Sequence, residues 1–135
     1  MSSSSANVQL ALSMLSALGS QDFATLEKVW APALEWQILP ASLNRPPTVG
    51  REVAIEALKG IGSILKRVNV STALDAAKAV DTVTTDGKFN FTNEYIFTVY
   101  IADGVIVKLK EFTDSAFALS FGAYLATLTP PPASA

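Results

Sequence analysis

Two long runs of alternating side chains, joined by a tight turn signal, leave the C-terminal half of this chain little freedom. In "KFNFTNEYIFTVYI" (88–101), Phe89, Phe91, Asn93, Tyr95, Phe97, Val99 and Ile101 fall on one face, since strand side chains alternate. Asp103-Gly104 is a strong hairpin signal, and "VIVKLKEFT" (105–113) follows it. There the same period places Val105, Val107, Leu109, Glu111 and Thr113 on one face and Ile106, Lys108, Lys110 and Phe112 on the other. Asp86-Gly87 repeats the turn signal ahead of the first run. The pattern predicts an antiparallel meander with one buried face, interrupted by an amide, Asn93, and a carboxylate, Glu111. Burying an unpaired charge is costly, so Glu111 calls for a partner or a purpose.

The first half reads as helical. Val8, Ala11, Leu12, Leu15 and Leu18 recur at helical spacing over about 5–18, with Gly19 as the stop. Asp22 is placed to cap a second helix carrying Phe23, Leu26, Val29 and Trp30 and ending at Pro32. "ALEWQIL" (33–39) reads as a strand, and "PASLNRPPTVG" (40–50) as a proline-rich loop of the kind that often covers a site. A third helix is expected over 51–66, with Gly60 and Gly62 marking close packing, then less regular strands at 67–76 and 79–85. A last helix from Ser115 carries Phe117, Phe121, Tyr124, Leu125 and Leu128 and stops before Pro130. Helices first, then a meander, then a helix folding back give an α+β class in which a curved sheet encloses a pocket. Residues 1–5 and 129–135 are expected as disordered tails around one domain, 6–128.

Composition narrows the chemistry. The chain has no cysteine and no histidine, which removes disulfides, thiolate nucleophiles, imidazole relays and the usual zinc sites. No metal and no cofactor are expected. A net charge of −2 with 16% charged residues gives no basic surface for nucleic acid. No apolar run approaches the ~20 residues of a membrane-spanning helix, and the apolar stretch 8–20 lacks the positive residues that precede a signal-peptide core. The expectation is a soluble, cytoplasmic protein with neither nucleic-acid nor membrane partner.

The order of elements and three segments, "FATLEKVWAPALEW", "TVGREVAIEALKGI" and "IADGVIVKLKEFTDSA", resemble the SnoaL-like branch of the NTF2-like superfamily, which includes ketosteroid isomerases, limonene epoxide hydrolases and scytalone dehydratases. The likeness covers nearly the whole chain and is most specific at "DGVIVKLKEFTD". It implies a cone-shaped α+β barrel around an apolar pocket, frequently a homodimer through its sheet. Members isomerise, cyclise, dehydrate or hydrolyse small hydrophobic molecules, terpenoid and polyketide skeletons among them, without a cofactor. Glu111 matches an acid of the epoxide hydrolases. Trp36 and Ile38 stand where those enzymes have the tyrosine and asparagine that position water, and the dehydratase histidines have no counterpart.

The candidate catalytic residues are therefore Glu111 as proton-transfer group, with Asn93 and Tyr95 polarising the ligand. Set beside this, Glu111 is equally a strand-end carboxylate that reaches solvent or a basic partner, and Asn93 and Tyr95 are satisfied core residues. Trp36, Ile38, Phe97 and Leu109 are candidate pocket walls. Arg45 in the proline-rich loop is either a guanidinium closing over an anionic or carbonyl group or a solvated side chain. Asp114 stands where a strand becomes a helix, which favours a cap over a second acid. Glu94 falls on the outer sheet face. The expected ligand is a small apolar molecule. The functional reading is an isomerase or cyclase, set against a non-catalytic carrier or sensor and a protein-interaction dimer.

Overall fold

A computed structural model describes the backbone of residues 3–65, 69–72 and 77–128 and the side chains of residues 6–65 and 84–128. Among them are four helices, α1 (Ser3–Ser20), α2 (Phe23–Val29), α3 (Arg51–Gly62) and α4 (Ser115–Leu128). Six strands, β1 (Trp30–Leu39), β2 (Thr48–Val49), β3 (Asn69–Thr72), β4 (Ala77–Val83), β5 (Asn90–Ala102) and β6 (Val105–Thr113), form one sheet in the order β2-β1-β6-β5-β4-β3. Every pairing is antiparallel except β1 with β6. This is the expected α+β class, an open curved sheet with helices on its inner face.

The meander forms as its alternation dictates. Along β5 Phe91 and Asn93 are buried and Tyr95, Phe97, Val99 and Ile101 half-buried, while Thr92, Glu94, Ile96, Thr98 and Tyr100 are exposed. Asp103 (φ 50°) and Gly104 (φ 77°) both take the left-handed region that a two-residue hairpin turn of this hand demands. In β6, however, the regular period fails near the turn. The β5–β6 register shifts by one residue between Tyr100–Lys108 and Ile101–Ile106. A bulge of this kind reverses the parity of the residues beyond it. Ile106, expected outside, is fully buried beside Leu109, while Val105 and Val107, expected inside, are only half-buried.

Other boundaries also move for local reasons. α1 begins at Ser3, within the expected tail, and runs through Gly19; residues 129–135 lie outside the described residues. Gln21 (φ 57°) takes the left-handed position, and the Asp22 N–H donates to the Ala17 carbonyl at 2.9 Å, closing a Schellman-type end. Asp22 caps α2 as expected, accepting from the Thr25 N–H (3.1 Å) and hydroxyl (2.6 Å). α2 stops at Val29, so Trp30, expected in the helix, and Pro32, expected as its stop, belong to β1, in the stretch where the β1–β6 register is irregular. The proline-rich segment is not wholly irregular either. It holds a 3-10 turn at Ala41–Leu43 and the short edge strand β2, paired with Glu35 and Trp36.

α3 ends at Gly62, short of the expected 66. Gly60 has open space around it, whereas a Cβ on Gly62 would lie 2.8 Å from Gln21 Oε1, so only Gly62 marks close packing. At the other end of α3, Arg51 Nη1 donates to the carbonyls of Glu27 (2.8 Å) and Trp30 (3.2 Å). Carbonyls at a helix C-terminus lack intrahelical partners, so this guanidinium ties α3 to the end of α2. The main core joins Met14, Leu26, Trp30, Leu34, Trp36, Ala54, Ile55, Ile106 and Leu109. A second, aromatic cluster packs Phe91 and Phe121 with Phe89, Phe117 and Tyr124 at the α4 end.

Candidate functional site

The two clusters do not fill the space between sheet and helices. A cavity of about 250 Å³ remains, walled by the end of α1, by α2 and α3, by β1, β5 and β6, and by α4. Apolar side chains such as Leu18, Leu26, Leu58, Leu65, Phe91 and Phe121 make most of its surface. Its polar residues are Gln21, Arg45, Thr48, Asn93, Tyr95, Glu111 and Thr113, together with the indole of Trp36.

Glu111 is 8% exposed and lies on the cavity wall rather than at a solvated strand end. It is held by register. Phe97 on β5 and Ile38 on β1 are its neighbours on either side, and both line the cavity with it. Trp36, two residues before Ile38 on the same face, donates Nε1–H to Glu111 Oε2 at 2.8 Å. The indole is itself fixed edge-on against Trp30, with ring centroids 5.6 Å apart. Trp36 is thus more than a wall.

Asn93 is 4% exposed and its amide orientation is set by its partners. The Glu94 N–H donates to Asn93 Oδ1 at 2.9 Å, and Asn93 Nδ2 donates to Thr113 Oγ1 at 2.6 Å. Tyr95 stands opposite Thr113 in the β5–β6 ladder. Burial and the nearby charge of Glu111 push its phenol well above the ordinary value, and a hydrogen bond from the Asn93 side chain pulls it back a little. At neutral pH Tyr95 is therefore a hydroxyl donor.

The remaining expected residues separate. Arg45 lines the cavity but is itself exposed, its Nη2 lying 3.9 Å from where a Cβ on Gly122 of α4 would stand, which puts the guanidinium at the mouth between loop and helix. Leu109 is fully buried in the main core and is not among the lining residues; paired with Trp36, it backs the indole. Asp114 lies outside the lining and accepts from the N–H groups of Ala116 (2.9 Å) and Phe117 (3.4 Å) at the start of α4. Glu94 is exposed on the outer face.

Three polar lining residues, Gln21, Thr48 and Thr113, escaped the sequence reading. Thr113 shares the face of Glu111 and is only 5% exposed, a signal the alternation already carried. Gln21 lines the mouth because of its left-handed backbone, which no local pattern announced. Among the described residues no group of three or more His, Cys, Asp or Glu is placed to hold a metal ion, and no helix is long and apolar enough to cross a membrane.

Neither a protein-family model nor a curated protein sequence matches this chain. Solved structures do. A pinacolase, BvnE from Penicillium brevicompactum, superposes with a TM-score of 0.75 at 18% identity, over 91% of this chain and 92% of its own. An NTF2-like protein from Burkholderia xenovorans superposes with a TM-score of 0.61 at 16% identity, over 86% and 95%. The fold is NTF2-like. A candidate SnoaL-like polyketide cyclase from Jannaschia sp. CCS1 superposes with a TM-score of 0.60 at 18% identity, over 94% of each chain. Identities this low carry the NTF2-like architecture and not an activity, which has to be argued from the site.

Proposed function

We propose that this NTF2-like protein binds a small, apolar, terpenoid- or polyketide-like molecule in the cavity and rearranges it by acid/base chemistry, as an isomerase or cyclase that needs no cofactor. The observation that carries the reading is the Glu111 carboxylate, buried on an apolar cavity wall and held by the Trp36 N–H at 2.8 Å. A carboxylate so placed is oriented, shielded from bulk water and within reach of a bound ligand, which are the requirements for proton transfer. The same NTF2-like architecture serves a pinacolase, which supports rearrangement as the reaction type.

In this reading Glu111 moves the proton, Tyr95 and Asn93 supply the donors that polarise the ligand, and Trp36, Ile38 and Phe97 shape its seat. Arg45 meets polar or anionic groups at the mouth. Ile96 and Phe112, directly paired on the outer face and each about half exposed, support the further proposal of a homodimer through the sheet, which light scattering on the purified protein tests.

The decisive experiment replaces Glu111 by Gln, which keeps the shape and removes the exchangeable proton. Small molecules that copurify with the protein are identified by mass spectrometry and offered to both forms. Turnover falls by about 10²–10⁴-fold in the variant while binding persists. Equal turnover by the two forms would remove Glu111 from the mechanism. Binding with no conversion by either form would make the protein a carrier.

A further inference from the structure

We propose that the ligand is an apolar carboxylic acid that enters the cavity tail first and leaves its carboxylate on the Arg45 guanidinium at the mouth. This deepens the reading of the cavity as the ligand site and rests on it.

The polar lining residues divide by exposure. Trp36, Asn93, Glu111 and Thr113 are buried on the inner wall, whereas Gln21 and Arg45 are exposed. Among the described residues that line the cavity, Glu111 and Arg45 alone carry a charge. The negative group lies inside and the positive one at the entrance. An anionic head is repelled by the first and attracted by the second, which fixes the end of an amphipathic acid that goes in.

The guanidinium is both placed and uncommitted. Its loop is fixed on either side: Asn44 (φ 52°) closes the 3-10 turn, its N–H donating to the Ala41 carbonyl at 3.0 Å, and Thr48 pairs with Trp36. Pro46 restricts Arg45 itself to extended backbone. The side chain then reaches α4, Nη2 lying 3.9 Å from where a Cβ on Gly122 would stand. That helix, SAFALSFGAYLATL, contains no acid to pair with it. Among the described residues the Arg45 guanidinium has no ion-pair or hydrogen-bond partner, whereas Lys59, over the ring of the lining residue Phe23, is taken by Glu56 at 2.9 Å.

The head group follows from the donor. A guanidinium is planar and presents paired N–H groups that match the two oxygens of a carboxylate. It also balances a single negative charge. A phosphate or diphosphate head carries more, and no second cation lines the cavity to meet it. The apolar walls, Leu58, Ile61, Phe91 and Phe121 among them, take the hydrocarbon.

The probes are geranate, geraniol and geranyl phosphate, which share one branched chain and differ in head group. Equilibrium binding is measured on the full chain, wild type and variants. Arg45→Gln, at an exposed position, weakens geranate about tenfold and leaves geraniol within about twofold, as the loss of a hydrogen-bonded charge pair requires. Arg45→Lys, which keeps the charge without the planar fork, recovers part of the loss. Added salt weakens geranate on the wild type and loses that effect in Arg45→Gln, a response that a merely structural role does not give.

The proposal is overturned if Arg45→Gln weakens geranate and geraniol alike, if geraniol binds and geranate does not, or if geranyl phosphate binds more tightly than geranate. It is overturned too if Glu111→Gln tightens geranate by about tenfold, which would put the carboxylate inside the cavity. If none of the three probes binds the wild type, the cavity reading falls and takes this proposal with it, so the two failures are distinguishable.

Discussion

The Nε1–H of Trp36 and the Oε2 of Glu111 meet at 2.8 Å although 75 residues separate them in the chain. The contact exists because the parallel β1–β6 register sets Ile38 beside Glu111 and leaves Trp36 one pleat away on the same face. Replacing Trp36 by Phe keeps an aromatic body against Trp30 but withdraws the N–H from a buried carboxylate. Leaving a buried polar group without its partner costs about 1–3 kcal/mol, so Trp36→Phe destabilises by about that much in urea unfolding.

Asp22 gives a prediction about acid. The Thr25 hydroxyl and amide, with a smaller contribution from Lys28, hold its carboxyl below the usual range. A depressed carboxylate adds stability that is present above the unfolded value, near 3.9, and lost as the pH falls through the folded one. Asp22→Asn still offers an oxygen to the helix but has no charge to lose. Melting curves show the wild type above the variant at neutral pH and the gap closing below about pH 4.

Tyr95 makes the converse prediction at alkaline pH. Its phenol is raised by burial and by Glu111, so the folded state keeps a proton that the unfolded chain releases near pH 10. That stability is intact below pH 10 and is lost as the pH climbs toward the folded value. An absorbance titration of tyrosinate therefore shows one of the three tyrosines lagging until the protein unfolds. In Tyr95→Phe the lag disappears, and alkaline unfolding moves to higher pH.

Gly62 separates stability from access. A Cβ there meets the Gln21 side-chain amide at 2.8–2.9 Å, and that amide is the free end of an exposed side chain. Gly62→Ala therefore displaces Gln21 at little cost and lowers the backbone entropy of the unfolded chain, leaving unfolding free energy within about 1 kcal/mol of wild type. Because Gln21 and Gly62 both line the cavity, the displaced amide constricts it, and the association rate of a small apolar molecule that copurifies with the protein, measured by stopped flow, falls.

Most of the NTF2-like architecture was legible because it depends on short-range rules: strict alternation in β5, two Asp-Gly turns, and the caps at Asp22 and Asp114. The placement of Glu111 and Asn93 on the inner face followed from the same alternation. What escaped was decided at longer range. The shift at Val107 that buries Ile106 depends on pairing with β5, and neither segment states it alone. Trp30 satisfied a helical period, yet pairing with Ile106 of β6 drew it into β1. Leu109 shares the parity of Glu111, but it is taken up by the main core and not by the cavity wall. The Trp36–Glu111 bond itself required two strands from opposite ends of the chain to lie side by side, which no local pattern specifies.

The parallel pairing of β1 with β6 also dictates a timetable. As the chain is synthesised from its N-terminus, β1 emerges early with only the two-residue β2 to pair with, and its other edge stays open until residues near 111 follow. Contacts of such high sequence separation form slowly and late. Until then a strand rich in Trp, Leu and Ile presents a free edge, the exposed intermediate from which aggregation starts. The carboxylate at the centre of the site and the last strand that completes the sheet thus arrive together, so a nascent chain acquires its chemistry only at the moment it closes its most vulnerable seam.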